Sequence, residues 1–144
     1  MSLIKHFVDG KTFEGSSKRT GKVFNPATGE ESAEVNLASK SDTDLAVEKA
    51  KKAFKRAIKE NKNYARPYFN LGLIEVKHRK FDDALDYLNT SAGIDPRHPK
   101  THFEIGKILV QRGEKYKAQI ALRTTLELEK DHSGARCLLA QIIM

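Results

Sequence analysis

Residues 68–96 read YFNLGLIEVKHRKFDDALDYLNTSAGIDP, and their spacing decides the fold. Apolar residues recur here at helical intervals, and from about residue 45 to the end the chain stays rich in Lys, Ala and Leu with the same period. Leu71-Gly72 is followed 34 residues later by Ile105-Gly106, and at the same step again by Leu139-Ala140. Ala84 maps forward onto Ala118 and backward onto Ala50. Small residues at a fixed interval let two helices cross closely, where large ones would push the pair apart.

A period of 34 is that of the tetratricopeptide repeat, a helix–turn–helix unit. With Tyr68, Leu71-Gly72, Phe81, Ala84, Leu88 and Pro96 in place, the quoted stretch resembles that repeat. The next unit, HFEIGKILVQRGEKYKAQIALRTTLELEK, keeps Ile105, Gly106, Gly113, Ala118 and Leu122. It departs in having Lys130 where a proline would end the second helix, and Tyr116 one residue late. Upstream, Ala50, Phe54 and Ala57 reproduce the second-helix pattern alone.

The expected fold class is therefore mostly α, a right-handed superhelix of five to six antiparallel helices behind a short β-hairpin segment over residues 1–42. The helical domain, 43–144, divides into a lone helix 43–60, repeats 64–97 and 98–131, and a final helix 133–144. In that last helix Leu138, Leu139, Ile142 and Ile143 face no following helix, which predicts either a truncated gene or self-association through that end.

The front of the chain is different in kind. Short β-type runs, HFV, KTFE, GKVFN and ESAEVNLA, are separated by the turn signals DG, GSS and NPATG. Its GSSKRTGKVFNPATGE stretch looks like a phosphate loop, but five residues separate Gly15 from Gly21, and Val23 stands where a magnesium-binding hydroxyl is needed. It reads instead as a polar turn between strands. Ser41 and Asp44 are placed as a capping box for the following helix. Without a larger sheet to pack on, strands in residues 1–40 are marginal, so they are expected to fold back on the helices or to move.

Several landmarks in order carry a second resemblance: Gly10-Lys11, Gly15-Ser16-Ser17, Arg19-Thr20-Gly21, the turn from Asn25 to Glu30, and then Asp44, Ala46, Val47, Ala50 and Phe54. Over residues 5–54 the chain resembles the N-terminus of an aldehyde dehydrogenase of the CoA-acylating methylmalonate-semialdehyde type. The resemblance implies an edge hairpin and first helix remote from the chemistry. Catalysis in that family joins a cysteine thiolate to NAD held on a Rossmann sheet. Here no G-x-G-x-x-G follows a strand, and Cys137 lies in the apolar run ARCLLAQII, where a small buried hydrophobe is expected. No catalytic residue, cofactor or metal is therefore expected, and the front segment reads as an accessory flap of a fusion.

Net charge is +7, unevenly spread: residues 1–45 hold six Lys/Arg against seven Asp/Glu, and residues 46–144 twenty against twelve. A basic helical part suits an acidic partner. No apolar run approaches the ~20 residues of a membrane helix, and MSLIKHFVDGKTF carries no signal-type core. A single cysteine fits a reducing compartment, and the expected address is the cytoplasm.

Tetratricopeptide arrays bind extended peptides along the concave side lined by each first helix, so the resemblance implies a non-catalytic scaffold for a protein or peptide. Register places Arg66, Phe69, Asn70, Leu73 and Lys77 on that groove from one repeat, and Lys100, Phe103, Glu104, Lys107 and Gln111 from the next. Basic groups beside two phenylalanines suit an acidic or C-terminal peptide with an apolar anchor. Of the family's carboxylate clamp only Asn70 and Lys100 match in type, and Glu104 stands where a second cation is expected. His98 and His102 have metal-like spacing, but Pro99 opens a helix between them, and packed or exposed imidazoles are expected rather than a metal site. Two alternatives stand beside the scaffold: an accessory chain related to the dehydrogenase and inactive alone, and a basic helical RNA-binding module.

Overall fold

The computed structural model describes residues 2–143 and divides into two compact units, Met1–Lys52 and Ala53–Met144. In the first unit lie five short strands, β1 (Ser2–Ile4), β2 (His6–Val8), β3 (Lys11–Phe13), β4 (Thr20–Phe24) and β5 (Glu31–Asn36). The four runs legible in the sequence became β2 to β5. Rather than one hairpin they form two small sheets. Asp9 and Gly10, both at positive φ, turn β2 back on β3, as a two-residue Asp-Gly turn does. β4 pairs antiparallel with β5, and β1 adds to the other edge of β5 in parallel. Ala33, on the central strand, is buried. The β4–β5 turn is held by its own side chain: the Ala27 amide donates to Asn25 Oδ1 at 2.9 Å, and Gly29 supplies the positive φ.

α1 runs Lys40–Glu60, so the division between the units falls within it. Its capping box is not Ser41 with Asp44. The Asp42 amide donates to Ser39 Oγ at 3.1 Å, and the Ser39 amide donates back to Asp42 Oδ2 at 2.9 Å. The helix starts earlier than its hydrophobic pattern does, and a reciprocal cap needs the residue just before the first turn.

The second unit is helical: α2 (Ala65–Lys77), α3 (Phe81–Ile94), α4 (Pro99–Gln111), α5 (Lys115–Leu128) and α6 (Ser133–Ile143). α2 with α3 and α4 with α5 form hairpins, and α3 packs on α4 as α5 does on α6. Each hairpin closes over a glycine. A Cβ on Gly72 would stand 2.7 Å from Leu88 Cγ, and one on Gly106 2.8 Å from Leu122 Cδ2. Ala84, Leu88, Ala118 and Leu122 are all fully buried at these crossings. The core continues through Ile105, Ile108, Leu109 and Ala121.

In α6 the stripe Ala135, Leu138, Leu139, Ile142 turns inward: Ala135 is fully buried and the other three half-buried, leaving Ile143 well exposed. This sets Cys137 on the outer side with Arg136 and Gln141, so Cys137 is exposed rather than buried. An apolar run hides only the positions its helix turns toward a neighbour.

Candidate functional site

α2 and α4 are one period apart, so their first turns bring equivalent residues together. Arg66, Phe69, Asn70 and Lys100 line one hollow of about 350 Å³, with Ala65, Ser91, Asp95 and His98 completing it. Ser91 Oγ donates to the Ala65 carbonyl at 3.2 Å, tying the end of α3 to the start of α2. Phe69 is half-buried, with the His98 ring set edge-on against it at 5.0 Å between centroids. His98 Nδ1 lies 2.7 Å from Thr101 Oγ1. Phe69 thus forms the floor of the hollow, while the exposed Arg66 and Lys100 carry its positive charge and Asp95 a negative one.

The predicted residues of α4 form a second group. Lys107 Nζ donates to both carboxylate oxygens of Glu104 at 2.9 Å and sits 5.4 Å from the centroid of Phe103. Phe103 in turn packs on His132 at 4.3 Å between centroids, and a Cβ on Gly134 would approach it to 2.8 Å. The pair Phe69–His98 therefore recurs one period on as Phe103–His132. His132 Nδ1 also accepts the Ala135 amide at 3.1 Å and caps α6. Leu73, Lys77 and Gln111 lie further along α2 and α4, outside the hollow.

The two histidines of HPKTH serve different neighbours. His102 Nε2 donates to the Pro96 carbonyl at 2.8 Å, away from the Phe69–His98 contact. Among the described residues no group of three metal-ligating side chains gathers. A second hollow, about 440 Å³, lies by the α2–α3 turn and is lined by Arg79, Lys80, Phe81, Asp82, Asp83 and Arg112. There Arg112 is already engaged, 2.6 Å from Asp82 and 3.0 Å from Glu114, and the Asp82 hydrogen bond raises its pKa further. The hydrogen bond from Lys117 lowers that of Glu114. Arg112 and Asp82 answer one another there, and the α2–α4 hollow, which gathers four of the expected groove residues, is the candidate. Asp95 and His98 were missing from the sequence-based groove because they come from the loop between repeats, which helical spacing does not index.

The model of the aldehyde dehydrogenase family matches residues 13–90. The chain belongs to the aldehyde dehydrogenase family. Its aldehyde dehydrogenase relatives include malonate-semialdehyde dehydrogenase 2 of Bacillus mycoides, 48% identical over 55 residues, which are 38% of this chain and 11% of that protein. Malonate-semialdehyde dehydrogenase 1 of Geobacillus kaustophilus is 43% identical over 53 residues, 37% of this chain and 11% of that protein. The matched part thus spans about a tenth of the length of these dehydrogenases. In shape, the aldehyde dehydrogenase family member carries a second architecture. The Yersinia enterocolitica type III secretion chaperone SycD, in complex with a peptide of the translocator YopD, superposes with a TM-score of 0.63 at 21% identity, covering 70% of this chain and 82% of that one. The second TPR domain of human RPAP3, in complex with the HSP70 peptide SGPTIEEVD, gives 0.63 at 20% identity, covering 71% and 85%. The Arabidopsis OM64 TPR domain gives 0.62 at 22%, covering 67% and 79%. At such identities the likeness is one of fold, and the fold is the tetratricopeptide repeat. The family match runs on through α2 and into α3, which fold as the first of these repeats.

Proposed function

We propose that the chain is a non-catalytic scaffold that binds an extended protein or peptide segment along α2 and α4. The observation that carries this reading is the convergence of Arg66, Asn70 and Lys100 over the Phe69 floor in one hollow. Two cations and an amide donor suit a carboxylate-bearing segment, and the ring surface suits an apolar side chain beside it. Peptide complexes of two of the fold's neighbours support the same use of the fold. Leu73 and Lys77 extend the track along α2, and Phe103, Glu104, Lys107 and Gln111 extend it along α4. Because Glu104 engages Lys107, the Arg66–Lys100 end is the one that receives the acidic group.

A fluorescent acidic peptide with a free C-terminus tests this by anisotropy. Binding is expected, with a loss of roughly tenfold on Lys100→Ala, on the order of a charge-assisted hydrogen bond. Affinity unchanged in both Lys100→Ala and Arg66→Ala overturns it.

The family match supports a second reading, in which the chain is an accessory piece of a malonate-semialdehyde-type dehydrogenase, inactive alone. Assay of a malonate-semialdehyde dehydrogenase with and without the added chain separates the two: only this second reading expects its rate to change. No helix among the described residues is long and apolar enough to cross a membrane, and we take the cytoplasm as its place of action.

A further inference from the structure

We propose that the groove holds a second subsite, one period beyond the first, which takes a basic side chain, so that the bound segment carries an acidic and a basic residue about three positions apart. This rests on the scaffold reading above and adds to it the order of charge along the segment. The frame of the first hollow recurs at the start of α6. His98 packs on Phe69, and His132 on Phe103. His98 Nδ1 lies 2.7 Å from Thr101 Oγ1, and His132 Nδ1 accepts the amide of Ala135, the residue in Thr101's place, at 3.1 Å. Thr101 and Ala135 are both fully buried. The loops before these helices also leave alike: the Asp95 amide donates to the Ser91 carbonyl at 2.9 Å, and the Glu129 amide to the Thr125 carbonyl at 2.8 Å.

On this shared frame the charges change. In the first hollow Arg66 and Lys100 outnumber Asp95. One period on the acid stays, as Glu129, while Asn70 becomes Glu104 and Lys100 becomes Gly134. A Cβ on Gly134 would stand 2.8 Å from Phe103 Cζ, so a cationic side chain there would displace the ring. Lys107 already holds both oxygens of Glu104, and Asp131 holds Arg136 at 2.9 Å, so those pairs cancel. Glu129 is exposed, and no ion pair holds it among the described residues. A second carboxylate at this place would meet Glu129 and Glu104 with no cation added to oppose them. A lysine or arginine instead pairs with Glu129 and lays its aliphatic stem on the Phe103 ring. α2 meets α4 and α4 meets α6. Packed helices lie about 8–10 Å apart, the reach of about three residues of an extended segment.

Anisotropy with three labelled peptides tests this, Asp-x-x-Lys, Lys-x-x-Asp and Asp-x-x-Asp, each with leucine at x and both ends blocked so that only side chains carry charge. Both mixed orders are included because an extended segment lies in a groove in either direction. One mixed peptide should bind roughly two- to fivefold tighter than Asp-x-x-Asp, the scale of an exposed ion pair. Glu129→Lys should invert that ranking, whereas Glu127→Lys, the same change of charge on α5, should keep it. Asp-x-x-Asp binding as tightly as both mixed peptides overturns the second subsite and leaves the first hollow standing. So does a ranking that Glu129→Lys leaves unchanged or that Glu127→Lys also inverts. Failure of all three peptides to bind, or binding that neither Lys100→Ala nor Arg66→Ala weakens, overturns the groove reading and the second subsite with it.

Discussion

The Ser16 amide donates to both carboxylate oxygens of Asp42, at 2.9 Å to Oδ1 and 3.1 Å to Oδ2. Asp42 thereby serves two purposes: it closes the capping box on Ser39 and anchors the Gly15-Ser16 turn to the head of α1. Gly15 is required there, at φ +80°, since a Cβ would stand 2.8 Å from the His6 ring and 3.0 Å from Asp42 Oδ2. The stretch that looks like a phosphate loop uses its backbone N–H on a carboxylate of its own chain.

The Ser39 amide and hydroxyl, aided by Ser16, hold the Asp42 carboxyl at about 2, below its ordinary 3.8. A depressed carboxyl stabilises the fold in full above the unfolded value and loses that contribution as pH falls through the folded one. The Ser16 and Ser39 amide resonances should therefore titrate with a midpoint near 2. A midpoint at the ordinary value would mean that these bonds do not form in solution. Asp42→Ala should expose the Ser16 amide to rapid hydrogen exchange at neutral pH.

Two glycines in helices should respond oppositely to alanine. Gly106→Ala drives a methyl into Leu122, whose Cγ and Cδ2 both lie within 2.9 Å of the new atom and which is fully buried, so it should cost ~1–3 kcal/mol. Gly93 in α3 has nothing within 4 Å of a new Cβ, and its replacement should stabilise by ~0.5–1 kcal/mol through helix propensity. Urea unfolding of the two variants measures both.

Arg79 and Gly113 occupy the same turn one period apart, at φ +60° and +74°. A non-glycine residue there costs ~1–2 kcal/mol, partly offset by glycine's greater freedom in the unfolded chain. Arg79→Gly should raise the thermal midpoint modestly, for a gain of up to ~1 kcal/mol. Gly113→Ala should lower it by a similar amount. A neutral result at both positions would show that the turns relax out of the left-handed region.

Glu104 takes up the charge of Lys107. If an acidic peptide runs along α4, Glu104→Gln should tighten its binding by severalfold, corresponding to ~0.5–1 kcal/mol for a partly exposed pair. The gain should shrink with added salt. Weaker binding in this variant would place the peptide elsewhere.

The helical hairpins were legible because each signal is local or strictly periodic. Gly72 and Gly106 announce a close crossing, and Ala84 and Ala118 name the face that receives it. Strands β2 to β5 were legible from their turns, with Asp9-Gly10 and Asn25 to Gly29 as punctuation. β1 was not, since Ser2–Ile4 shows no alternation and is held by its parallel pairing to the distant β5.

The candidate site divides the same way. Spacing along α2 and α4 named Arg66, Phe69, Asn70 and Lys100, but not that they meet in one hollow, nor that Asp95 and His98 join them. Cys137 was misjudged because its neighbours in sequence are apolar while its side of α6 is not covered. By itself the amino-acid sequence determined which helices form and how often they repeat, because small residues and hydrophobic period act within a few turns of backbone. Only the tertiary structure decided which face of each helix is covered, which serine caps α1 and which charges are already answered. Those outcomes depend on rotations and on contacts between residues tens of positions apart, and no local spacing encodes them.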